Sequence, residues 1–95
     1  MHIREFQEMM RRIYFHRDSK RGPFQTYVWI CSELGEFGRA LLKNDRRALM
    51  EEVADLMAWI ASECNLLGID LEEACLRKYP GTCPKCGKVP CECPF

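Results

Sequence analysis

Two pairs of acids stand out in the 95-residue sequence: Glu33/Glu36 in "ELGEFGRAL" and Glu52/Asp55 in "EEVADLMAWI". Each pair has a spacing of three, which puts both members on one face of a helix. Between them lies "ND" at 44–45, short enough to fold the two helices back antiparallel. Counted from that turn, Glu36 sits opposite Glu52 and Glu33 opposite Asp55. At roughly 1.5 Å per residue the two pairs are level to within about 1.5 Å. The neighbours repeat the symmetry: Trp29 and Trp59 lie one turn beyond the acids, Ala40 and Ala48 one turn inside them. No base occupies these eight positions. Four carboxylates converging without a base either raise their pKa values or require a cation. Oxygen-only donors suit a hard ion, Mg²⁺ or Mn²⁺. With no histidine in either motif, zinc and a di-iron Glu-x-x-His site are disfavoured.

A solvated surface is the competing reading. The main apolar stripe of the first acid-bearing helix is Phe24, Tyr27, Cys31, Leu34 and Leu41, and Glu33 and Glu36 lie well round from its centre. Tryptophan on a solvated face, however, exposes a large apolar area. Gly35 and Gly38 each cost about 1 kcal/mol inside a helix and suggest close backbone approach by another helix or a ligand.

The elements that must position these acids follow from periodicity. Ile3, Phe6, Met9, Met10 and Ile13 predict a first helix over about residues 2 to 17, broken across "RDSKRGP". A second helix runs from near Phe24 to about Lys43. Asp45 caps a third, Arg46 to about Leu67, which Gly68 ends. A short fourth, "DLEEACLRKY", has Asp70 as cap with Glu73 at the capping-box position. The fold class is all-α, with a helical unit over 1–80 and a cysteine-rich tail over 81–95.

Composition bounds the rest. A hydrophobic content of 47% and 29% charge describe an ordinary globular chain. A formal net charge of zero gives no pull toward nucleic acid or an anionic membrane. No apolar run approaches the roughly 20 residues of a membrane span. "MHIRE" does not open like a secretory signal, so the cytoplasm is the expected location. So short a chain has a marginal core, commonly compensated by oligomerisation or a structural metal. Of seven cysteines, Cys31, Cys64 and Cys75 fall singly in helical patterns, as small core residues do. Cys83, Cys86, Cys91 and Cys93 cluster in "CPKCGKVPCEC". A four-thiolate structural zinc site is the first reading of this tail, with disulfides and free thiols as alternatives.

The paired acidic motif, followed by "LLGIDLEEACLRKY", resembles the MazG-like, all-α nucleoside triphosphate pyrophosphohydrolases over roughly residues 24 to 79. The resemblance implies a dimer or tetramer, and Mg²⁺ held by Glu33, Glu36, Glu52 and Asp55. It implies cleavage of a nucleotide between its α- and β-phosphates. One acid not fully used by metal, Glu36, would orient the attacking water. Lys78, beside Arg77, matches the basic residue that such proteins place after the last helix; the bland reading is a pair of solvated cations near a helix C-terminus. Arg11, Arg12, His16, Arg17, Lys20 and Arg21 read better as a solvated helix end than as a phosphate site. Trp29 and Trp59 would stack on a base or serve an oligomer interface. The competing function is a non-catalytic helical dimer whose tail binds protein or nucleic acid. A third option is a metal-bound helical protein with lost activity. Lys85, Lys88 and Glu92 around the knuckle, with little aromatic content, argue against nucleic acid.

Overall fold

The computed structural model describes residues 1–94, in which four helices and no strand occur. They are α1 (Ile3–Arg21), α2 (Pro23–Leu42), α3 (Arg46–Leu67) and α4 (Leu71–Lys78). α2 packs chiefly on α3, α1 crosses α3, and α4 lies on α1. None of the helices is long and apolar enough to cross a membrane.

The element ends have local causes. α1 continues past the expected end near residue 17, through "RDSKR", to Arg21. Asp18 and Arg21 pair across the last turn, and the Gly22 N–H closes onto the Asp18 carbonyl at 2.9 Å. The break falls at Gly22, whose φ of 85° favours glycine, and Pro23 opens α2 in the first helical position. Asp45 accepts the Ala48 N–H at 3.1 Å and starts α3. Gly68, left-handed at φ 68°, ends it. Asp70 caps α4 by accepting the Glu73 N–H at 3.1 Å.

The interior is thin and polar. Among the described residues the buried hydrophobic ones are Met10, Ala40 and Ala61, beside buried Gln7, Asp18, Thr26, Ser62 and Asn65. The apolar stripe of α2 does not face α3. Phe24 is 88% exposed, and Tyr27, Leu34, Leu41 and Cys31 are exposed too. The inward face is instead Thr26, Glu33 and Ala40, at a spacing of seven, with half-buried Ile30 and Phe37 between them. The expectation that Cys31, Cys64 and Cys75 are core residues also fails: Cys31 and Cys75 are exposed and Cys64 is half-buried. The radius of gyration is 15.6 Å, against roughly 12 Å for a compact globule of this length.

A polar lock joins α1 to the α3–α4 corner. Gln7 Nε2 donates to Asn65 Oδ1 at 3.0 Å and to the Ile69 carbonyl at 2.8 Å, while its Oε1 accepts the Leu71 N–H at 2.9 Å. Asn65 Nδ2 returns a bond to the Gln7 carbonyl at 3.2 Å. Removing a buried partner strands the groups it satisfied, at about 1–3 kcal/mol each. Gln7→Leu should therefore destabilise the chain by roughly 2–4 kcal/mol, read as a lower denaturant midpoint. A midpoint within error of the wild type would show that water replaces the lock.

Candidate metal centre and adjoining cavity

Three of the four paired acids meet across the α2–α3 seam, and Glu36 does not join them. The short turn sets α2 against α3 so that carboxylate oxygens of Glu33, Glu52 and Asp55 all lie within 4.8 Å of one another. Glu33 and Glu52 are half-buried and Asp55 is exposed. Glu52 Oε2 is buried with no hydrogen-bond partner. Burial comes first among the causes that raise the Glu33 pKa, followed by the charges of Asp55 and Glu52, a hydrogen bond with Glu52, and the charge of Glu36. Three converging acids, one with an orphaned buried oxygen, form a donor set that a hard divalent cation would satisfy.

Glu36 is not in that trio. It pairs with Arg39 on its own helix, a spacing-of-three contact made by a base that lies outside the eight stripe positions. Gly35 and Gly38 do not mark close approach within this chain, since a Cβ at either would meet nothing within 4 Å.

At the far end of the acids the two tryptophans stack on each other, with ring centroids 5.8 Å apart and planes 11° from parallel. The Arg21 guanidinium sits over the Trp59 ring, 4.6 Å from its centroid. Its Nε donates to Thr26 Oγ1 at 3.0 Å, and its terminal nitrogen pairs with the buried Asp18. Arg21 is thus part of an ordered cluster and not a solvated helix end. The Asp18/Arg21 spacing was visible in the sequence; its meeting with Trp59 depends on how α1 crosses α3. Between α1 and α3, lined by Tyr14, Asp18, Arg21, Ala58 and Trp59, lies a cavity of about 250 Å³ whose wall includes Asp55.

Lys78 is exposed near the end of α4, an element that rests on α1. It lines neither the acidic trio nor this cavity. The tail gathers Cys83, Cys86, Cys91 and Cys93, with all four sulfurs within 4.8 Å. Cys83 and Cys93 sulfurs are 3.7 Å apart and those of Cys86 and Cys91 4.0 Å, too far for a disulfide. A tetrahedral thiolate site with metal–sulfur bonds of about 2.3 Å separates its sulfurs by roughly 3.8 Å. Backbone N–H groups of Glu92 and Cys93 reach the Cys86 and Cys91 sulfurs at 3.4 and 3.3 Å. Backbone hydrogen bonds from Glu92 and Lys88 lower the Cys86 thiol to about 6, whereas bonds with Cys91, Cys83 and Cys86 raise Cys93 to about 11.

A search of curated proteins returned no match to the chain. The family model described as the MazG nucleotide pyrophosphohydrolase domain matches residues 21–87. That span starts at the last residue of α1, takes in both acid pairs, and ends at the glycine of "CPKCG". With more than half of its length covered and the paired acids meeting across the α2–α3 hairpin, the chain belongs to the MazG nucleotide pyrophosphohydrolase domain family.

Proposed function

We propose that the protein is a Mg²⁺-dependent nucleoside triphosphate pyrophosphohydrolase, which releases a monophosphate and pyrophosphate. The observation that carries this reading is the Glu33–Glu52–Asp55 trio with its orphaned Glu52 oxygen. Glu33, Glu52 and Asp55 would hold the ion, with Glu36 at the margin of the set. A bound Mg²⁺ supplies neutralisation of phosphate charge and a lowered pKa for water. Glu36, tied to Arg39 beside the trio, suits a group that holds a water more than one that holds the ion. It orients the water against the α-phosphorus and takes its proton, while the bond to the bridging oxygen of the β-phosphate breaks. Lys78 would have to be brought to the phosphates by a second copy or a movement of α4. The stacked Trp29 and Trp59 brace the end of the site, with stacking on a base left to the outer face of the exposed Trp29.

The remaining features are read as supports. The exposed stripe of Phe24, Tyr27, Leu34 and Leu41, together with the extended shape, suits burial against a second copy of the chain in a dimer or tetramer. The tail of 81–95, appended to the helical unit of 1–80, holds one structural Zn²⁺ through Cys83, Cys86, Cys91 and Cys93. The reaction requires neither a membrane nor nucleic acid, and a cytoplasmic nucleotide pool would supply the substrate.

The direct test is pyrophosphate release from a panel of nucleoside triphosphates with Mg²⁺. Asp55→Asn and Glu36→Gln should each lower turnover at least about 100-fold while circular dichroism stays that of the wild type. Full release by both variants would remove this site assignment. A folded, zinc-loaded chain that releases none would favour the non-catalytic helical dimer instead.

The raised Glu33 pKa makes a second expectation. A group whose folded-state pKa lies above its unfolded value makes folding less favourable as pH rises through that window. Because the depressed Cys86 thiol pulls the other way below neutral pH, the Glu33 contribution is read as a difference: without metal, the wild type should gain melting temperature relative to Glu33→Gln on acidification from neutral toward the ordinary glutamate range. Glu33→Gln should also raise the neutral melting temperature and lose the stabilisation that Mg²⁺ confers. Identical slopes in both proteins would show that the acids do not repel.

For assembly, sedimentation at micromolar concentration should give a dimer or larger, and Leu34→Asp should shift it toward monomer. A wild-type monomer with full activity would sink the proposal. Zinc should be found at about one equivalent per chain by elemental analysis, and its absence from a stably folded chain with intact thiols would dismiss the clip.

A further inference from the structure

The Asp18 carboxylate is unused by the proposed chemistry. It is 2% exposed, and Arg21 takes one of its oxygens. The other, Oδ2, is buried without a hydrogen-bond partner. A buried ion with a vacant acceptor costs stability unless something donates to it. Asp18 lines the 250 Å³ cavity between α1 and α3. That volume is below the roughly 300–1,000 Å³ of pockets for drug-sized ligands, and so fits a part of a nucleotide. Asp55 belongs both to this cavity's wall and to the acidic trio. Phosphates held at the trio would therefore leave their nucleoside next to the cavity. Tyr14, Ala58 and Trp59 give it apolar walls, Arg17 and the buried Ser62 add polar lining, and Arg21 fixes both Asp18 and the Trp59 ring.

We propose that this cavity is the base pocket, and that Asp18 selects nucleobases bearing an exocyclic amino group, by accepting an N–H from it. The inference rests on the pyrophosphohydrolase reading for the position of the phosphates. An amino group presents donors to the vacant Oδ2. A carbonyl at the same place on the ring would set lone pairs against a carboxylate, and Arg21 already engages the other oxygen. A site built around a buried hydrogen-bonding group discriminates strongly against the analogue that leaves it unpaired.

The matched pairs CTP/UTP and ATP/ITP each exchange an amine for a carbonyl and turn the neighbouring ring nitrogen from acceptor to N–H donor, so the preference reads which of the two positions faces Asp18. With Mg²⁺, the wild-type chain should favour the amine member by about tenfold or more in kcat/KM. Asp18→Asn keeps size and an acceptor for Arg21 but places an amide donor where Oδ2 stood, so it should abolish or reverse the preference. Equal kcat/KM within both pairs, or a preference unchanged in Asp18→Asn, would overturn the proposal.

Equilibrium binding of CMP and UMP, followed by tryptophan fluorescence, separates this inference from the enzyme reading. CMP binding tenfold tighter than UMP, lost in Asp18→Asn, would uphold the pocket even in a chain that releases no pyrophosphate. Turnover with no base discrimination would leave the enzyme reading intact and refute the pocket. Should Asp18→Asn fail to fold, Ala58→Leu fills the cavity without touching the carboxylate. It should weaken CMP binding at least tenfold, and undiminished binding would likewise refute the proposal.

Discussion

Burial of converging carboxylates in the α2–α3 seam, with the repulsion between them, is the constraint that organises this chain. A hairpin of this size would ordinarily pack its widest apolar stripe inward. Here Glu33 and Glu52 occupy the middle of the seam, with Asp55 beside them and Glu52 Oε2 buried and unpartnered. Everything near them limits the damage or uses the charge. Asp45 caps α3 at the turn, fixing the register that makes the acids level. Ala40, 6% exposed, lets the helices close below the acids, and the Trp29–Trp59 stack closes the seam above them. Arg39 draws Glu36 aside on its own helix, leaving three acids and not four at close range.

Because the seam is given over to acids, the apolar stripe of α2 is left outside, and the buried core among the described residues shrinks to Met10, two alanines and a few polar residues. α1 compensates in part through specific bonds. At one end Gln7 and Asn65 satisfy each other and the α3–α4 corner. At the other, Arg21 reaches Asp18, Thr26 and the face of Trp59. Each contact joins a buried polar group to a partner, so each fixes geometry more than it adds net stability. One oxygen of Asp18 escapes this satisfaction, and Asp18 is among the residues lining the cavity that borders Asp55.

Much of this was legible in the sequence because its signals are local. Asp45 and Asp70 start helices and Gly68 ends one by backbone chemistry that needs no tertiary partner, and they act as expected. The level acids follow from helix rise and a short turn. What the sequence hid is the face that turns inward. Apolar periodicity along Phe24, Tyr27, Leu34 and Leu41 points to a buried side, and these residues are exposed in the single chain. The heptad of Thr26, Glu33 and Ala40 carried the true seam, but its middle residue is charged and hydrophobicity passes it by. The end of α1 is hidden for a related reason: "RDSKR" is polar, and its helix is held by Asp18–Arg21 pairing and the cover that α3 provides. No spacing rule could bring Arg21 over Trp59, since their meeting is set by the crossing of two helices.

The same constraint links stability to function. With its best apolar surface outside and unsatisfied acids inside, the lone chain has few internal means of raising its own stability. The proposed partners act where those deficits lie: a second copy on the α2 stripe, a divalent ion at the trio, a zinc clip in a tail that lacks helical structure. Each binds the folded state and stabilises it by mass action. The acid repulsion then becomes part of metal affinity, because binding the ion removes a strain that the apo fold carries. A base donating to Asp18 would extend that logic to the substrate, with the vacant acceptor raising the fold's free energy until a matching ligand arrives.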